Sequence, residues 1–306
     1  MENKVYDVLI IGAGPAALTA AIYASRGDLT VAFIEKGAPG GKLVYQSKIE
    51  NWPGDKMIEG HKLALKMFEH SKQFGAEYLY GDVVEIKSHS EFDKEVILAN
   101  GESLKSKSIV IASGMKERVP ETIKGIYEFE HRGVSYCAIC DGPLYGKNPT
   151  GVIGGGNSAV EEAAFLASVA SEVHVFVKDS AFIAEKRLVR ELEEKSNVKI
   201  YFNSEVLELK GESGLESAIV NVNGERKEIK IKSLFPFIGQ LPSTNFAKDL
   251  GILDPRGFIK VDNFMETSVK GIYAIGDVIV KDIRQISTAV ADGSIVGKIL
   301  TNRITK

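Results

Sequence analysis

The chain has 306 residues, 44% of them hydrophobic and 26% charged, with a formal net charge of −3. Near-neutrality argues against a broad nucleic-acid surface, and no apolar run approaches the roughly 18 residues of a membrane helix. The length suits two ordinary domains, and two cysteines are too few for a disulfide scaffold. That leaves a redox or metal role in a cytoplasmic protein, and Met1-Glu2-Asn3-Lys4 leaves no room for a signal peptide before the first strand-like run.

Val5 to Ile11 reads as a buried parallel strand interrupted by Asp7. It enters Gly12-Ala13-Gly14-Pro15-Ala16-Ala17, then an alanine-rich helix to about Ser25 and a second strand, Thr30 to Ile34. Glu35 follows 21 residues after Gly14, which completes a dinucleotide-binding βαβ unit. Gly12 permits the tight turn, Gly14 admits a pyrophosphate, Ala17 allows helix and strand to pack closely, and Glu35 accepts from a ribose. Pro39-Gly40-Gly41-Lys42-Leu43 and Glu50-Asn51-Trp52-Pro53-Gly54 are loops by composition. Residues 57–75 predict an amphipathic helix. Strands are expected around Val83–Ile86 and Val96–Leu98, with a hairpin turn at Asn100-Gly101, and again over Ser108–Ala112 before Gly114. The polar, proline-containing run Lys116–Pro120 predicts a domain boundary.

Cys137-Ala138-Ile139-Cys140-Asp141 holds both cysteines, at a spacing that lets two sulfurs meet as a reducible disulfide. A zinc half-site is the competing reading, but the five histidines show no metal-type spacing near it. The opening module then repeats: a strand enters Gly154-Gly155-Gly156-Asn157-Ser158-Ala159, followed by a helix from Val160 and a strand, Glu172 to Val177. Glu35 falls opposite Val177, each 23 residues past its first glycine. Two nucleotide turns imply two nucleotides, or one nucleotide and a degenerate copy; the intact second glycine turn favours two. A charged helix over 184–195, strands near 198–201, 205–209 and 234–237, and a hairpin at Asn223-Gly224 complete an inserted unit. Gly276-Asp277 then ends a strand, and a small-residue-rich helix is expected over Ile286–Ile299.

Taken together, these motifs resemble those of low-molecular-weight, bacterial-type thioredoxin reductases, within the FAD-dependent pyridine nucleotide-disulfide oxidoreductases. The resemblance covers the whole chain and adds Ala112-Ser113-Gly114 and Arg284-Gln285. It implies an α/β fold of two Rossmann-like domains, the second inserted into the first: 1–117 and 245–306 for FAD, 118–244 for NAD(P)H and the cysteine pair. It assigns Gly12, Gly14, Ala17, Glu35, Gly41, Leu43, Asn51, Val84, Ala112, Gly114, Gly276, Asp277, Arg284, Gln285 and Ile286 to FAD. Gly154, Gly156, Asn157, Ser158, Ala159 and Lys178 go to the pyridine nucleotide. It makes Cys140 the sulfur that faces the flavin, Cys137 the attacker of a thioredoxin disulfide and Asp141 the proton donor. It also implies a homodimer, and rotation of the insert about hinges at Lys116–Pro120 and Gly239–Ser243, so that nicotinamide and disulfide reach the flavin in turn.

The chain departs from the family pattern where arginines would hold a 2′-phosphate. The matching stretch, Val177-Lys178-Asp179-Ser180-Ala181-Phe182-Ile183, keeps only Lys178. NADPH held by Lys178 is the leading donor; NADH received by Asp179 and reduced ferredoxin stay open. Pro143 and Leu144 replace an aromatic pair that several relatives present to thioredoxin. The cysteine pair argues against a ferredoxin–NADP reductase, and the early first strand against the flavoprotein subunit of an alkyl hydroperoxide reductase. A non-catalytic flavin-binding scaffold is the reading from a different class.

Overall fold

In the computed structural model, residues 4–46 and 48–304 are described. The first module is β1 (Val5–Ile11), α1 (Pro15–Ser25) and β2 (Val31–Glu35). It is followed by α2 (Gly60–Lys72), β3 (Glu77–Tyr80), β4 (Val83–Ser90), β5 (Asp93–Leu98), β6 (Ser103–Ile111) and β7 (Met115–Glu117). The middle of the chain gives α3 (Ala138–Asp141), β8 (Pro149–Ile153), α4 (Asn157–Leu166), β9 (Glu172–Phe176), α5 (Lys186–Glu193) and β10 (Val198–Tyr201). Next come β11 (Ser204–Lys210), β12 (Ser217–Val222), β13 (Glu225–Lys230), β14 (Ser233–Pro236) and β15 (Gln240–Pro242), and the chain closes with β16 (Ile272–Ala274) and α6 (Ile286–Ile304). No helix among the described residues is long and apolar enough to cross a membrane.

The chain divides into two compact units, residues 1–116 with 241–306, and residues 117–240. In the first, β3, β2, β1 and β6 lie side by side in parallel. β6 changes partner along its length: Ser103 to Ser106 pair antiparallel with β5, and Ile109 to Ile111 pair in parallel with β16. The second unit repeats the plan, with β10-β9-β8-β14 all parallel and β11-β12-β13 as a separate antiparallel meander. The two chain crossings, β7 and β15, form a two-stranded ribbon, with bonds from Arg118 N to Gly239 O and from Ser243 N to Gly114 O.

The first sheet is covered on both faces, as its near-continuous apolar strands require. Val8, Ile10 and Phe33 pack beneath α1 and α6, while Leu9, Ile11 and Ile34 meet Val96, Ile259 and Val278 on the other side. Helix α6 lies directly on α1 because a Cβ at Gly293 would come within 2.4 Å of Ala16 O. In the second unit Val152, Val173 and Val175 pack with Ala159, Val160, Ala163 and Leu188, and Phe176 and Leu234 join the meander core.

Four helix boundaries differ from expectation. The helix expected from Val160 to about Ala170 spans Asn157–Leu166, opening directly after the extended Gly156. The helix expected over 57–75 spans Gly60–Lys72, with Glu59 extended at its start. The charged helix expected over 184–195 spans Lys186–Glu193, because the Asn157 side chain fastens Glu185 in non-helical geometry. The last helix continues to Ile304, where Arg303 bonds Glu266 and the Tyr273 hydroxyl. Burial pushes the Glu266 carboxyl up, but Arg303, Lys270 and the Gly271 amide outweigh it and hold it down at about 2.

Candidate functional site

Most of the residues assigned to the first nucleotide gather at the carboxyl ends of β1, β2, β6 and β16. Gly12 has φ of +107°, and a Cβ there would come within 2.5 Å of Ala112 O, so only glycine fits this turn. Gly14 caps α1 in extended geometry without a side-chain hydrogen bond, and a Cβ there would meet nothing within 4 Å. The first-turn amides of α1 are thus uncapped by the residue that precedes them, the arrangement that receives a phosphate. Glu35 closes β2 and accepts from Ala13 N at 3.1 Å and Gly37 N at 2.8 Å. Each oxygen retains acceptor capacity for a ribose hydroxyl.

Gly276-Asp277 follows β16, and Asp277 Oδ1 is buried with no hydrogen-bond partner among the described residues. Burial pushes the Asp277 carboxyl above the usual carboxylate range, against the pull of Lys281, Arg284 and Lys42. An unpaired buried carboxyl oxygen is costly, and a hydroxyl-bearing ligand would satisfy it. The site therefore fits FAD on the chain's own chemistry. Arg284 clamps the same loop through Asp277 O and Ile279 O, both at 3.2 Å, and lies 4.5 Å from the centre of the Phe258 ring. The Asn51 amide donates to Gln285 Oε1 at 2.9 Å, and Leu43 is buried in a cluster with Trp52 and Ile286. Gly41 approaches Gly14, Ala112 backs Gly12, and Gly114 takes φ of +62° where the chain leaves the sheet. Val84 is 48% exposed on the edge strand β4, two residues past Asp82, which pairs with Lys36 at 3.1 Å beside Glu35.

The inserted unit carries the cysteines. Cys137 and Cys140 are joined by a disulfide at the head of α3, with Cα atoms 5.4 Å apart. Cys140 is exposed and Cys137 half-buried. Ser135 organises the neighbourhood: its hydroxyl donates to Asp141 Oδ2 at 2.6 Å and accepts from Cys137 N at 3.1 Å. Asp141 is thereby held beside the pair. Beyond it, Leu144 is 78% exposed.

The second glycine turn repeats the first. Gly154 has φ of +141°, and a Cβ there would come within 2.4 Å of Phe237 O. Gly156 caps α4 as Gly14 caps α1, again without a side-chain bond, and Ala159 packs under the turn. Asn157 and Ser158 open α4, and the Asn157 amide exchanges two hydrogen bonds with Glu185, at 2.9 and 3.0 Å. Lys178 and Asp179 are exposed past β9, Val177 is buried, and Ile183 is 81% exposed where the family's arginine is expected. Lys186 and Arg190 line a nearby cavity of about 590 Å³ with Phe182 and Phe202.

Sequence reasoning missed Ser135, whose only signal is a position two before Cys137. It also missed Phe258 under Arg284, and the Lys281–Asp292 ion pair at 2.5 Å whose Asp292 accepts from Gly276 N at 2.9 Å. None of these partners carries a motif.

The family model described as pyridine nucleotide-disulphide oxidoreductase matches residues 6–293. The thioredoxin reductase of Mycoplasmopsis pulmonis is 59% identical, over 100% of this chain and 99% of its own. That of Bacillus subtilis is 40% identical, over 97% and 94%. The crystal structure of Lactococcus lactis thioredoxin reductase superposes with a TM-score of 0.94 at 37% identity, covering 98% of this chain and 99% of its own. A likeness this long and this close is one of descent: the chain belongs to the pyridine nucleotide-disulphide oxidoreductase family, among its thioredoxin reductases.

Proposed function

We propose that the chain passes electrons from NADPH, through FAD, to the Cys137–Cys140 disulfide and on to thioredoxin. The observation that carries this reading is the disulfide at the head of α3, in the unit that bears the second nucleotide turn, with Asp141 fastened beside it. Bound FAD would supply the two-electron step between a nicotinamide and a disulfide. The turn at Gly12 and Gly14, with Ala17 packed beneath, would hold its pyrophosphate. Glu35 would hold the ribose, and Asp277 the chain beyond it. Leu43, Asn51, Gln285 and Ile286 would border the ring, with Arg284 fixing the loop; Gly41, Val84, Ala112, Gly114 and Gly276 complete the assigned set. Gly154, Gly156, Asn157, Ser158, Ala159 and Lys178 would hold the second nucleotide.

Reduction adds two electrons and one proton to the disulfide, leaving one thiol and one thiolate. Cys140 is the sulfur that receives the electron pair, and Cys137 leaves as a thiolate. Cys137 then attacks the thioredoxin disulfide, and Cys140 closes on the mixed disulfide to release reduced thioredoxin. Asp141 gives the proton to a departing thiolate. Family likeness supports a cytoplasmic homodimer.

A second reading shares the outlet and changes the donor. Ile183 stands exposed where a phosphate-binding arginine is expected, which favours NADH or reduced ferredoxin. Anaerobic bleaching of the flavin by each donor at equal concentration decides between them. No bleaching at millimolar NADPH overturns the first choice. Cys140→Ser should keep the yellow colour and lose thioredoxin reduction; a wild type that is yellow yet reduces no disulfide, with the variant no different, would favour the scaffold reading.

A further inference from the structure

Glu162, in α4, is a carboxyl that none of the steps above uses. It is 6% exposed, and its Oε2 has no hydrogen-bond partner among the described residues. Its place relative to the cysteines follows from the direction of the chain. Val134 bridges Leu234 in parallel and β14 runs parallel to β8, so the segment leading to Cys137 climbs towards the carboxyl ends of this sheet. Helix α4 descends from those ends, as a βαβ crossover requires. The segment from α3 also descends, because the chain must re-enter β8 at its amino end, Pro149.

Gly142, just past α3, marks where the two helices meet: a Cβ there would come within 2.7 Å of Leu166 and 3.8 Å of Phe165. Both helices rise about 1.5 Å per residue. Four residues back along each therefore sets Ala138 level with Glu162. At about 100° per residue, Glu162 lies between Phe165 and Leu166 on the α4 surface, on the stripe that the redox segment covers. Ala138, 2% exposed, shares its core cluster with Ala159, Ala163 and Leu166.

We propose that Glu162 is a positioning residue of the redox pair, resting on the reading that the pair is redox-active: its carboxyl lies beneath the amino end of α3 and keeps its proton whenever a cysteine is a thiolate. Reducing the disulfide with two electrons and one proton leaves one thiol and one thiolate. A Glu162 that is ionised in the disulfide state takes up a further proton in that step, because two buried negative charges at close range repel. Burial, reinforced by Glu161, pushes the Glu162 carboxyl up to about 8. The surroundings add few other charges. The redox segment contributes Asp141 and Tyr145. Helix α5 turns Leu188, Val189 and Leu192 to the shared core, and the sheet offers Val152, Val173 and Val175. His174 lies with Tyr201 at 3.2 Å and with Phe176, whose ring packs in the other core of this unit.

The test uses the FAD-loaded protein equilibrated anaerobically with dithiothreitol, which is oxidised to its cyclic disulfide as the pair is reduced. Alkylation and mass measurement then give the reduced fraction from pH 6.5 to 9.5. Wild type and Glu162→Gln should agree at pH 6.5. At pH 9.5 the wild type should be at least threefold harder to reduce, the excess appearing above about pH 8. Glu162→Met should follow Glu162→Gln, which covers the case in which one variant folds poorly. Parallel profiles across the range overturn the inference, whatever the variants do to thermal stability. A wild type whose pair is reduced by dithiothreitol yet passes no electrons to thioredoxin would instead overturn the proposed function.

Discussion

At the residue scale, the site depends on short polar contacts that fix chemically ordinary groups. Ser135 is the clearest case, since a single hydroxyl serves both the Cys137 amide and the Asp141 carboxylate. Removing it should free Asp141 without touching either nucleotide turn. Ser135→Ala is expected to slow thioredoxin reduction about tenfold, near 1.4 kcal/mol of transition-state stabilisation, and to leave flavin reduction by the nicotinamide unchanged. Stopped-flow measurement of the two half-reactions checks this; equal slowing of both would place the role of Ser135 elsewhere. The two orphaned carboxyl oxygens, in Asp277 and Glu162, invite different explanations. Asp277 belongs to a loop that fits a ligand, whereas Glu162 lies inside a helix pair where only a proton can follow a change of charge.

At the element scale, the helices are placed by what their neighbours leave out. Helix α6 reaches α1 through Gly293, whose missing side chain admits Ala16 O, and through Gly297, where a Cβ would meet the Tyr23 side chain at 2.5 Å. Because α1 carries the first nucleotide turn at its head, a displaced α6 should loosen both. Gly293→Val is expected to destabilise the first unit by about 2–3 kcal/mol and to weaken FAD retention. Thermal unfolding and flavin release on gel filtration measure the two effects, and retention at wild-type levels would show that α1 tolerates the shift. The repeat is also an element-scale fact. β1-α1-β2 and β8-α4-β9 share the glycine turn, yet they diverge one step later, with Glu35 half-buried and polar and Val177 buried and apolar. The same scaffold thus presents different side chains at matching positions past its two glycine turns.

At the scale of the whole molecule, each unit has its own sheet built on parallel strands and its own cores, and the chain passes between them at 116–117 and 240–241. Such units respond to ligands separately. Calorimetry should therefore resolve two transitions, one raised by added FAD and the other by the pyridine nucleotide that serves as donor. A single transition moved equally by both ligands would mean that the units unfold as one. The same experiment ranks the donors: a nucleotide that leaves both transitions in place at millimolar concentration binds weakly, if at all.

The glycine turns, the acid at Glu35, the repeat and the paired cysteines were all legible in the sequence, because each is local: a turn needing positive φ, a strand period or a three-residue spacing encodes itself in adjacent residues. The helix limits at Gly60, Lys186 and Ile304 were less legible, since Glu185 is held by Asn157 and Arg303 by Glu266 across long stretches of chain. Tertiary structure alone set Lys281 and Asp292 under the Gly276 turn, brought Phe258 to Arg284, and packed α4 against the segment past Cys140. A buried charge acquires its meaning from whatever packs around it, and packing between distant segments leaves no periodic mark in the order of the residues.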